Sequence, residues 1–191
     1  MNSPGKLIVF TAPSGSGKTT IVKHILSKFE KTAFSVSATT RKKRPHENHA
    51  KDYFYLSVET FKSWVEMDAF AEWEEVYSGQ YYGTLKSEIE RLLECGKHVV
   101  FDMDVKGAIS IKKLYPDQTL AIFIRVPSMQ ELEKRLRSRG NDDEQSLQRR
   151  LSKAAHELAF ESEFDTVLVN DELNVTLKEA EEIVQNFLLL S

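Results

Sequence analysis

The sequence has little cysteine and no long apolar run. Its single cysteine, Cys95, excludes a disulfide within the chain, and we expect it to be a small buried residue near a helix end. No apolar stretch approaches the ~18 residues of a membrane span, and the first five residues lack the apolar segment of a signal peptide. These absences predict no membrane partner, a reducing compartment and, by default, the cytoplasm.

Neither sign of charge dominates. The 191 residues carry 26 Lys and Arg against 29 Asp and Glu, which gives a formal net charge of −3. A nucleic-acid-binding protein is normally basic, so we do not expect nucleic acid as a partner. Internal repeats are also missing, and 41% of the residues are hydrophobic, which predicts one compact domain.

The most informative stretch is a short apolar run followed by a loop of small residues. Leu7–Phe10 is typical of a central parallel strand. Gly15 and Gly17 allow successive N–H groups to turn inward as an anion cradle, and a helix beginning near Lys18 would offer its positive end to the same anion. The pattern G-x-x-x-x-G-K-[ST] is met except at Ala12, which replaces the first glycine and therefore needs a negative φ.

This loop predicts a phosphate-binding site for a nucleotide. Lys18 would reach the β- and γ-phosphates, and the Thr19 hydroxyl would bind Mg²⁺. The alternative is an ordinary Gly/Ser turn after a strand. The predicted phosphate ligands are Ala12, Pro13, Ser14, Gly15, Ser16, Gly17, Lys18, Thr19 and Thr20.

A second buried strand, His98–Asp104, ends in two acids. Acids at the carboxyl end of a parallel strand face the ligand crevice of an open α/β sheet. Asp102 would orient hydrated Mg²⁺ or the Lys18 region. Both acids could instead cap the following helix, and this alternative applies more to Asp104.

A polar, basic segment and a mostly β insertion follow the first helix. Residues 39–51 carry five Lys and Arg, which fits either a solvated loop or a second anion site, since Arg binds phosphate in a bidentate manner. Aromatic and acidic side chains of residues 39–82 could line a pocket or simply pack a small sheet. These side chains are Tyr53, Glu72, Tyr81 and Tyr82.

A pair of helices beyond residue 128 concentrates positive charge. Ser128 and Glu131 form a capping-box pattern, Gly140 would end the first helix, and Asp142–Glu144 would start the second. The pair could close over phosphates and exclude water, or be a solvated hairpin with balanced charge. Its cations are Lys134, Arg135, Arg137, Arg139, Arg149 and Arg150.

Hydrophobic patterning predicts the remaining elements. Strands are expected at Phe34–Ser37, Asp52–Leu56, Phe70–Tyr77, Leu120–Pro127 and Val167–Asp171, and helices near residues 61–65, 85–95 and 177–187.

Taken in order, these motifs resemble the guanylate kinase family over nearly the whole chain. The resemblance rests on residues 13–20, on Ser35–Arg41 with Arg44, and on Asp52-Tyr53, Glu72-Trp73 and Tyr81–Thr84. It continues through Asp102–Asp104 with Gly107, Arg135-Leu136, Arg139-Gly140, Arg150-Leu151 and Val169–Asp171. Departures from the family pattern are Ala12, Lys43, residues 48–50, Lys106 and one residue added within residues 74–78.

The resemblance implies a role for each matching residue. The acceptor GMP would be bound by Ser37, Arg41, Arg44, Tyr53, Glu72, Tyr82, Thr84, Asp102 and Asp104, of which Glu72, Thr84 and Asp104 read the guanine. The catalytic cations would be Lys18, Arg135, Arg139 and Arg150. Asn170 would lie near the adenine, and Thr19 with Asp102, through water, would hold Mg²⁺.

The resemblance also implies an α/β fold, a parallel P-loop sheet flanked by helices. Its parts would be a core (1–38, 83–134 and 159–191), a mobile GMP-binding region (39–82) and a mobile helical lid (135–158). The implied reaction uses ATP and Mg²⁺ with GMP or dGMP, in a monomer or small homo-oligomer. Three alternatives stay open: a kinase of a phosphorylated sugar such as ribose bisphosphate, a non-catalytic module that binds phosphopeptides, and another P-loop NTPase such as a GTPase, for which no N-K-x-D motif is present.

Overall fold

A five-stranded parallel sheet forms the centre of the computed structural model, which describes residues 5–138 and 143–190. Its strand order is β2-β7-β1-β8-β9. The strands are β1 (Leu7–Thr11), β2 (Thr32–Phe34), β7 (His98–Asp102), β8 (Thr119–Arg125) and β9 (Thr166–Val169). The predicted α/β class with a parallel sheet is thus confirmed.

Alternation along β1 divides the core between the two faces of this sheet. Ile8 and Phe10 pack in the cluster that includes residues of α1 (Lys18–Lys28) and α7 (Leu173–Leu189). Leu7 and Val9 pack with residues of α3 (Lys86–Glu94) and α4 (Val105–Leu114). Since β1 is buried on both faces, it reads as a continuous apolar run.

A smaller four-stranded sheet lies between α1 and α3 in the chain and has its own core around Phe61 and Phe70. Its order is β4-β3-β6-β5. The elements are β3 (Ala38–Thr39), β4 (Phe54–Tyr55), α2 (Val58–Glu66), β5 (Phe70–Tyr77) and β6 (Gln80–Leu85). The β5–β6 pairing shifts register twice, between Phe70 and Glu72 and between Glu75 and Tyr77, and each shift leaves one extra residue on β5, as a bulge does.

Two further helices, α5 (Met129–Ser138) and α6 (Glu144–Leu158), pack against each other. They share a small core that includes Leu136 and Leu147. Ser128 Oγ accepts from Glu131 N at 3.1 Å and Asp143 Oδ1 accepts from Ser146 N at 2.7 Å, so side chains cap both helices. The predicted end at Gly140 lies outside the described residues.

Three local predictions were wrong. Ser35–Ser37 is not a strand, because the main sheet ends at Phe34 and the small sheet begins at Ala38. Only Phe54–Tyr55 of the expected strand Asp52–Leu56 forms a strand, and Tyr53 makes an isolated bridge with His49. Cys95 is exposed, because it follows the last turn of α3 at its solvent side.

Within the described ranges, no helix has both the length and the apolar composition to cross a bilayer.

Candidate active site

The phosphate loop joins β1 to α1 in the predicted cradle shape. Gly15 and Gly17 have φ values of 102° and 90°, in the left-handed region that favours glycine. Ala12 is not among the residues with positive φ, so alanine is accommodated there as the sequence required. A Cβ on Gly15 would lie 2.9 Å from Leu136 Cδ2, and the first lid helix therefore packs directly on the loop.

A cleft of about 420 Å³ opens above this loop. Lys18 lines this cleft, and its Nζ lies 2.5 Å from Asp102 Oδ1 and 2.9 Å from the Met103 carbonyl oxygen. These contacts hold the lysine at the carboxyl end of β7, beside the place where an anion would enter. The cleft is lined by residues Ala12 to Thr20 and by Asp102, Asp104, Arg150, Lys153 and Glu157.

The donors in this cleft suit Mg²⁺. Thr19 is exposed to the cleft and supplies a hydroxyl, and Asp102 supplies carboxylate oxygens. Mg²⁺ prefers oxygen ligands and normally keeps several waters and substrate phosphates in its shell. Two protein oxygens beside a phosphate loop therefore fit this ion.

A second pocket of about 150 Å³ adjoins the first and contains the predicted base-reading acids. Glu72 Oε1 accepts from Thr84 Oγ1 at 2.6 Å, and burial raises the pKa of Glu72. Asp104 is the N-cap of α4 and accepts from Gly107 N at 2.8 Å, which confirms that it caps this helix. The same residue also lines both pockets. The other lining residues are Ser37, Tyr53, Glu74, Val76, Tyr82, Gly83, Asp102 and Met103.

Sequence reasoning missed Glu74 in this pocket. A hydrogen bond with the Asp104 carboxyl, together with burial, raises the pKa of Glu74. Lys106 Nζ lies 3.4 Å from Glu74 Oε1. The sequence does not single out Glu74, because β5 carries several acids and its two faces do not differ clearly in polarity.

Arg41, at the other end of this region, is held by a buried acid that sequence reasoning also missed. Glu47 accepts from Arg41 Nη2 at 2.8 Å and Nη1 at 3.1 Å, from Arg44 N at 2.8 Å and from Tyr55 Oη at 2.7 Å. The bond with Arg41 is the main cause that lowers the pKa of Glu47 to about 2. The Arg41 guanidinium lies 5.4 Å from the Tyr53 ring centroid, and the Tyr53 and Tyr82 rings are 6.0 Å apart. Residues 39–51 are therefore not merely a solvated loop.

The predicted lid cations differ in whether their side chains reach the phosphate loop or the surface. Arg150 Nη1 donates to Ser14 Oγ at 3.0 Å, which brings the second lid helix over the phosphate loop. Arg135 donates to Glu131 at 2.9 Å and to the Asp171 carbonyl at 3.2 Å. Arg137 pairs instead with Glu133 and Glu144 on the surface. Arg139 lies outside the described residues, and its role stays a prediction.

Asn170 is buried beneath the phosphate loop. Its side chain donates from Nδ2 to the Ser16 carbonyl at 2.7 Å, and only 4% of the residue is exposed. Its predicted position near the adenine stays untested.

Fold and cleft together define a P-loop phosphotransferase, with a cradle, a lysine at its mouth and an arginine on a lid helix. Comparison with known proteins agrees. The guanylate kinase family model matches residues 4–187. A guanylate kinase of Bacteroides thetaiotaomicron is 47% identical over 184 residues, which cover 96% of this chain and 90% of the relative, and one of Chlorobium chlorochromatii is 45% identical with 96% of each chain covered.

Solved structures place the fold in the same group. The crystal structure of guanylate kinase from Anaplasma phagocytophilum has a TM-score of 0.71 and 28% identity, and the match covers 97% of this chain and 86% of that one. Shikimate kinase from Bacteroides thetaiotaomicron, at 16% identity and a TM-score of 0.52, shares the fold alone. The chain belongs to the guanylate kinase family and is a nucleoside monophosphate kinase.

The contacts of Glu47 lead to a first prediction. Glu47→Gln replaces a carboxylate that accepts from four donors with an amide that cannot receive both Arg41 nitrogens. Arg41 then loses its fixed orientation toward Tyr53, and we expect the KM for GMP to rise about tenfold, the effect of roughly one charge-assisted hydrogen bond, with a much smaller change in kcat. Steady-state kinetics and calorimetric titration of GMP measure this. Glu66→Gln, at an exposed position of α2, is the control and should change neither value. An unaltered GMP affinity in Glu47→Gln would show that Glu47 does not orient the acceptor site.

Proposed function

We propose that the chain transfers the γ-phosphoryl group of ATP to GMP across the junction of the two pockets. The observation that carries this proposal is that Asp102 and Asp104 line both pockets. The donor phosphates in the loop and the acceptor in the acid pocket would therefore meet at the carboxyl end of β7. A sheet crevice at the carboxyl ends of its strands is where such folds bind nucleotides.

The acceptor pocket has the polarity that guanine requires. Guanine presents N1–H and a 2-amino group as donors, which suit the carboxylates of Glu72 and Asp104. AMP presents an acceptor at N1 and has no 2-amino group, so the same acids would be left unpaired. Thr84, which already donates to Glu72, fixes one of these carboxylates before the base arrives.

The phosphate of GMP would be bound at the other end of the acceptor pocket. Arg41 and Arg44 would supply positive charge there, while Ser37, Tyr53 and Tyr82, which line the pocket, would supply hydroxyl groups. The acceptor phosphate is already an anionic nucleophile, so the reaction needs positioning and charge neutralisation rather than a general base.

Residues of the loop and the lid would stabilise the migrating group. Lys18 and Arg150 line the same cleft, and Arg135 and Arg139 would add further positive charge. Mg²⁺ would be held by Thr19 and, through water, by Asp102, and would neutralise charge on the ATP phosphates. A phosphopeptide-binding module would have no use for Lys18 and Arg150 in one cleft, so this convergence supports catalysis.

The remaining features follow from the same proposal. The GMP-binding region (39–82) and the lid (135–158) would move as units about the core, because closing them excludes water from the transfer. We propose dGMP as a second acceptor, since none of the proposed contacts needs the 2′-hydroxyl. The chain would act in the cytoplasm as a monomer or small homo-oligomer.

Base choice gives a direct test of the acceptor site. Glu72→Gln should raise the KM for GMP and narrow the preference for GMP over AMP, because an amide is a weaker acceptor than a carboxylate and offers an N–H to the guanine donors. We expect the discrimination to fall at least tenfold, since buried polar groups left unpaired by the wrong base can contribute ~10⁴-fold. A coupled assay with ATP and GMP, dGMP, AMP or ribose bisphosphate measures all four acceptors in the native chain and the variant.

A neighbouring acid provides the control. Glu75→Gln alters an exposed carboxylate on the same strand, β5, and should leave the acceptor preference unchanged. Unchanged GMP affinity and unchanged AMP discrimination in Glu72→Gln would mean that Glu72 only packs the small sheet. Turnover of ribose bisphosphate in preference to GMP would refute the proposed substrate.

A further inference from the structure

The buried amide of Asn170 has a contact that base recognition does not explain. We infer that Asn170 is a positioning residue of the phosphate loop, whose Nδ2 orients the loop through the Ser16 carbonyl. The inference rests on the proposed function, because it takes this loop to be the site of the ATP phosphates. It concerns how the loop keeps its shape when no anion fills it.

The fixed geometry of the peptide bond links the Ser16 carbonyl to the Gly17 N–H. Asn170 Nδ2 donates to the Ser16 carbonyl oxygen at 2.7 Å, from a position 154 residues later in the chain. In a trans peptide the C=O of one residue and the N–H of the next point in opposite directions. Fixing the Ser16 carbonyl toward Asn170 therefore turns the Gly17 N–H away from Asn170, to the side of the loop where the phosphate would lie.

The Asn170 amide also lies close to the Cα of Gly17. A Cβ on Gly17 would lie 2.3 Å from Asn170 Nδ2, so the amide occupies the space that any side chain at Gly17 would need. Gly17 thus serves two purposes: it adopts a φ of 90°, and it leaves room for the amide. With 4% of Asn170 exposed, the amide has few partners to choose from, and the bond to Ser16 satisfies a buried donor.

Asn170 itself is fixed by its backbone to the parallel sheet. Its backbone N–H donates to the Arg125 carbonyl at 2.7 Å, immediately after the paired residues Arg125 and Val169 of β8 and β9. The next residue, Asp171, accepts from Arg135 Nη2 at 3.2 Å through its carbonyl. One turn between β9 and α7 therefore anchors both the phosphate loop and a lid arginine to the edge of the parallel sheet.

The test uses a ligand without a base. Asn170→Leu removes the donor with little change in size, and Asn170→Asp removes it at nearly constant shape while adding negative charge beneath the loop. Inorganic triphosphate, ADP and GMP are titrated separately by calorimetry. We expect the affinities for triphosphate and ADP to fall about tenfold in Asn170→Leu and further in Asn170→Asp, while the affinity for GMP changes less than twofold. In ¹⁵N NMR spectra the Gly17 amide should lose most of its triphosphate-induced shift.

Thr176→Val is the matched control. Thr176 is buried at the same β9–α7 junction, and its hydroxyl donates to the carbonyls of Val169 and Glu172 rather than to the loop. This variant should lose stability without losing triphosphate affinity.

Three results would overturn the inference. Weaker ADP binding with unchanged triphosphate binding would assign Asn170 to the adenine instead. Equal losses for triphosphate and GMP, or the same triphosphate loss in Thr176→Val, would reduce its role to general stability. If the native chain bound triphosphate but turned over no GMP, the proposed function would fail while the role of Asn170 in the loop stood.

Discussion

Replacing Lys18 with alanine should reduce kcat by a factor on the order of 10³ or more, the size of effect that follows loss of a preorganised group opposite developing charge. Lys18 Nζ is placed between Asp102 and the Met103 carbonyl at the mouth of the phosphate loop. The migrating phosphoryl group gains most from a cation that is already in position, because no reorganisation is needed during transfer. Removing that cation also leaves the Asp102 carboxylate facing the ATP phosphates.

Stability should change little in the same variant. The Lys18–Asp102 pair is partly exposed, with side-chain exposures of 20% and 22%, and such pairs contribute about 1 kcal/mol or less after solvent screening. Thermal unfolding and steady-state kinetics are therefore measured together. The control is Lys28→Ala, on the same helix as Lys18, which removes an ion pair between α1 and Glu181 of α7. This variant should retain full activity. A folded Lys18→Ala protein with most of its activity would refute the phosphate-loop interpretation.

Replacing Arg150 with methionine should lower kcat by a factor on the order of 10³, comparable to the loss of an arginine that neutralises phosphoryl-transfer charge. Methionine keeps an apolar stem that can pack in the lid and removes only the guanidinium. Arg150 Nη1 lies 3.0 Å from Ser14 Oγ at the edge of the loop. Its charge should matter more in the transition state than in either bound substrate, so the affinity for GMP should be almost unchanged.

The lid contains a matched control for this experiment. Arg137 lies on the same helical hairpin but pairs with Glu133 and Glu144, so Arg137→Met should affect kcat less than twofold. Kinetics and direct GMP titration of both variants separate charge in the cleft from charge on the surface. Intact turnover in Arg150→Met would show that the lid cations form only a solvated helical face. Arg139→Met carries the same expectation as Arg150→Met from the family resemblance.

The parts of the site that could be predicted are those encoded by neighbouring residues. The phosphate loop combines a buried strand, two glycines and a helix start within residues 7–20, and each of these has a local cause. Asp102 and Asp104 could be placed because strand ends meet at one edge of a parallel sheet. The helical lid followed from caps and periodicity, which operate within a few residues.

The residues that sequence reasoning missed or could not place depend on partners that are distant or hidden. Asn170 meets Ser16 from 154 residues later in the chain, and no local pattern shows which loop a residue that follows β9 will reach. Glu47 looks like one polar residue in a basic segment until the fold brings Arg41, Arg44 and Tyr55 around it. Ser35–Ser37 alternates as a strand does, but it crosses between the two sheets, and pairing rather than propensity decides a strand.

The second bulge in β5, between Glu75 and Tyr77, has a consequence for how the hairpin tolerates insertions and deletions. Glu72, Trp73, Glu74 and Glu75 pair in one register with Thr84, Gly83, Tyr82 and Tyr81, between the shift at Phe70/Glu72 and the shift at Glu75/Tyr77. Because side chains alternate between the faces of a sheet, an extra residue without a bulge would turn every later side chain to the opposite face. The shift between Glu75 and Tyr77 lies at the distal tip, next to the turn at Ser78-Gly79. An extra residue absorbed there leaves the acids and tyrosines of the pocket on their own faces of the sheet, so we expect the hairpin to tolerate a change of length at its tip.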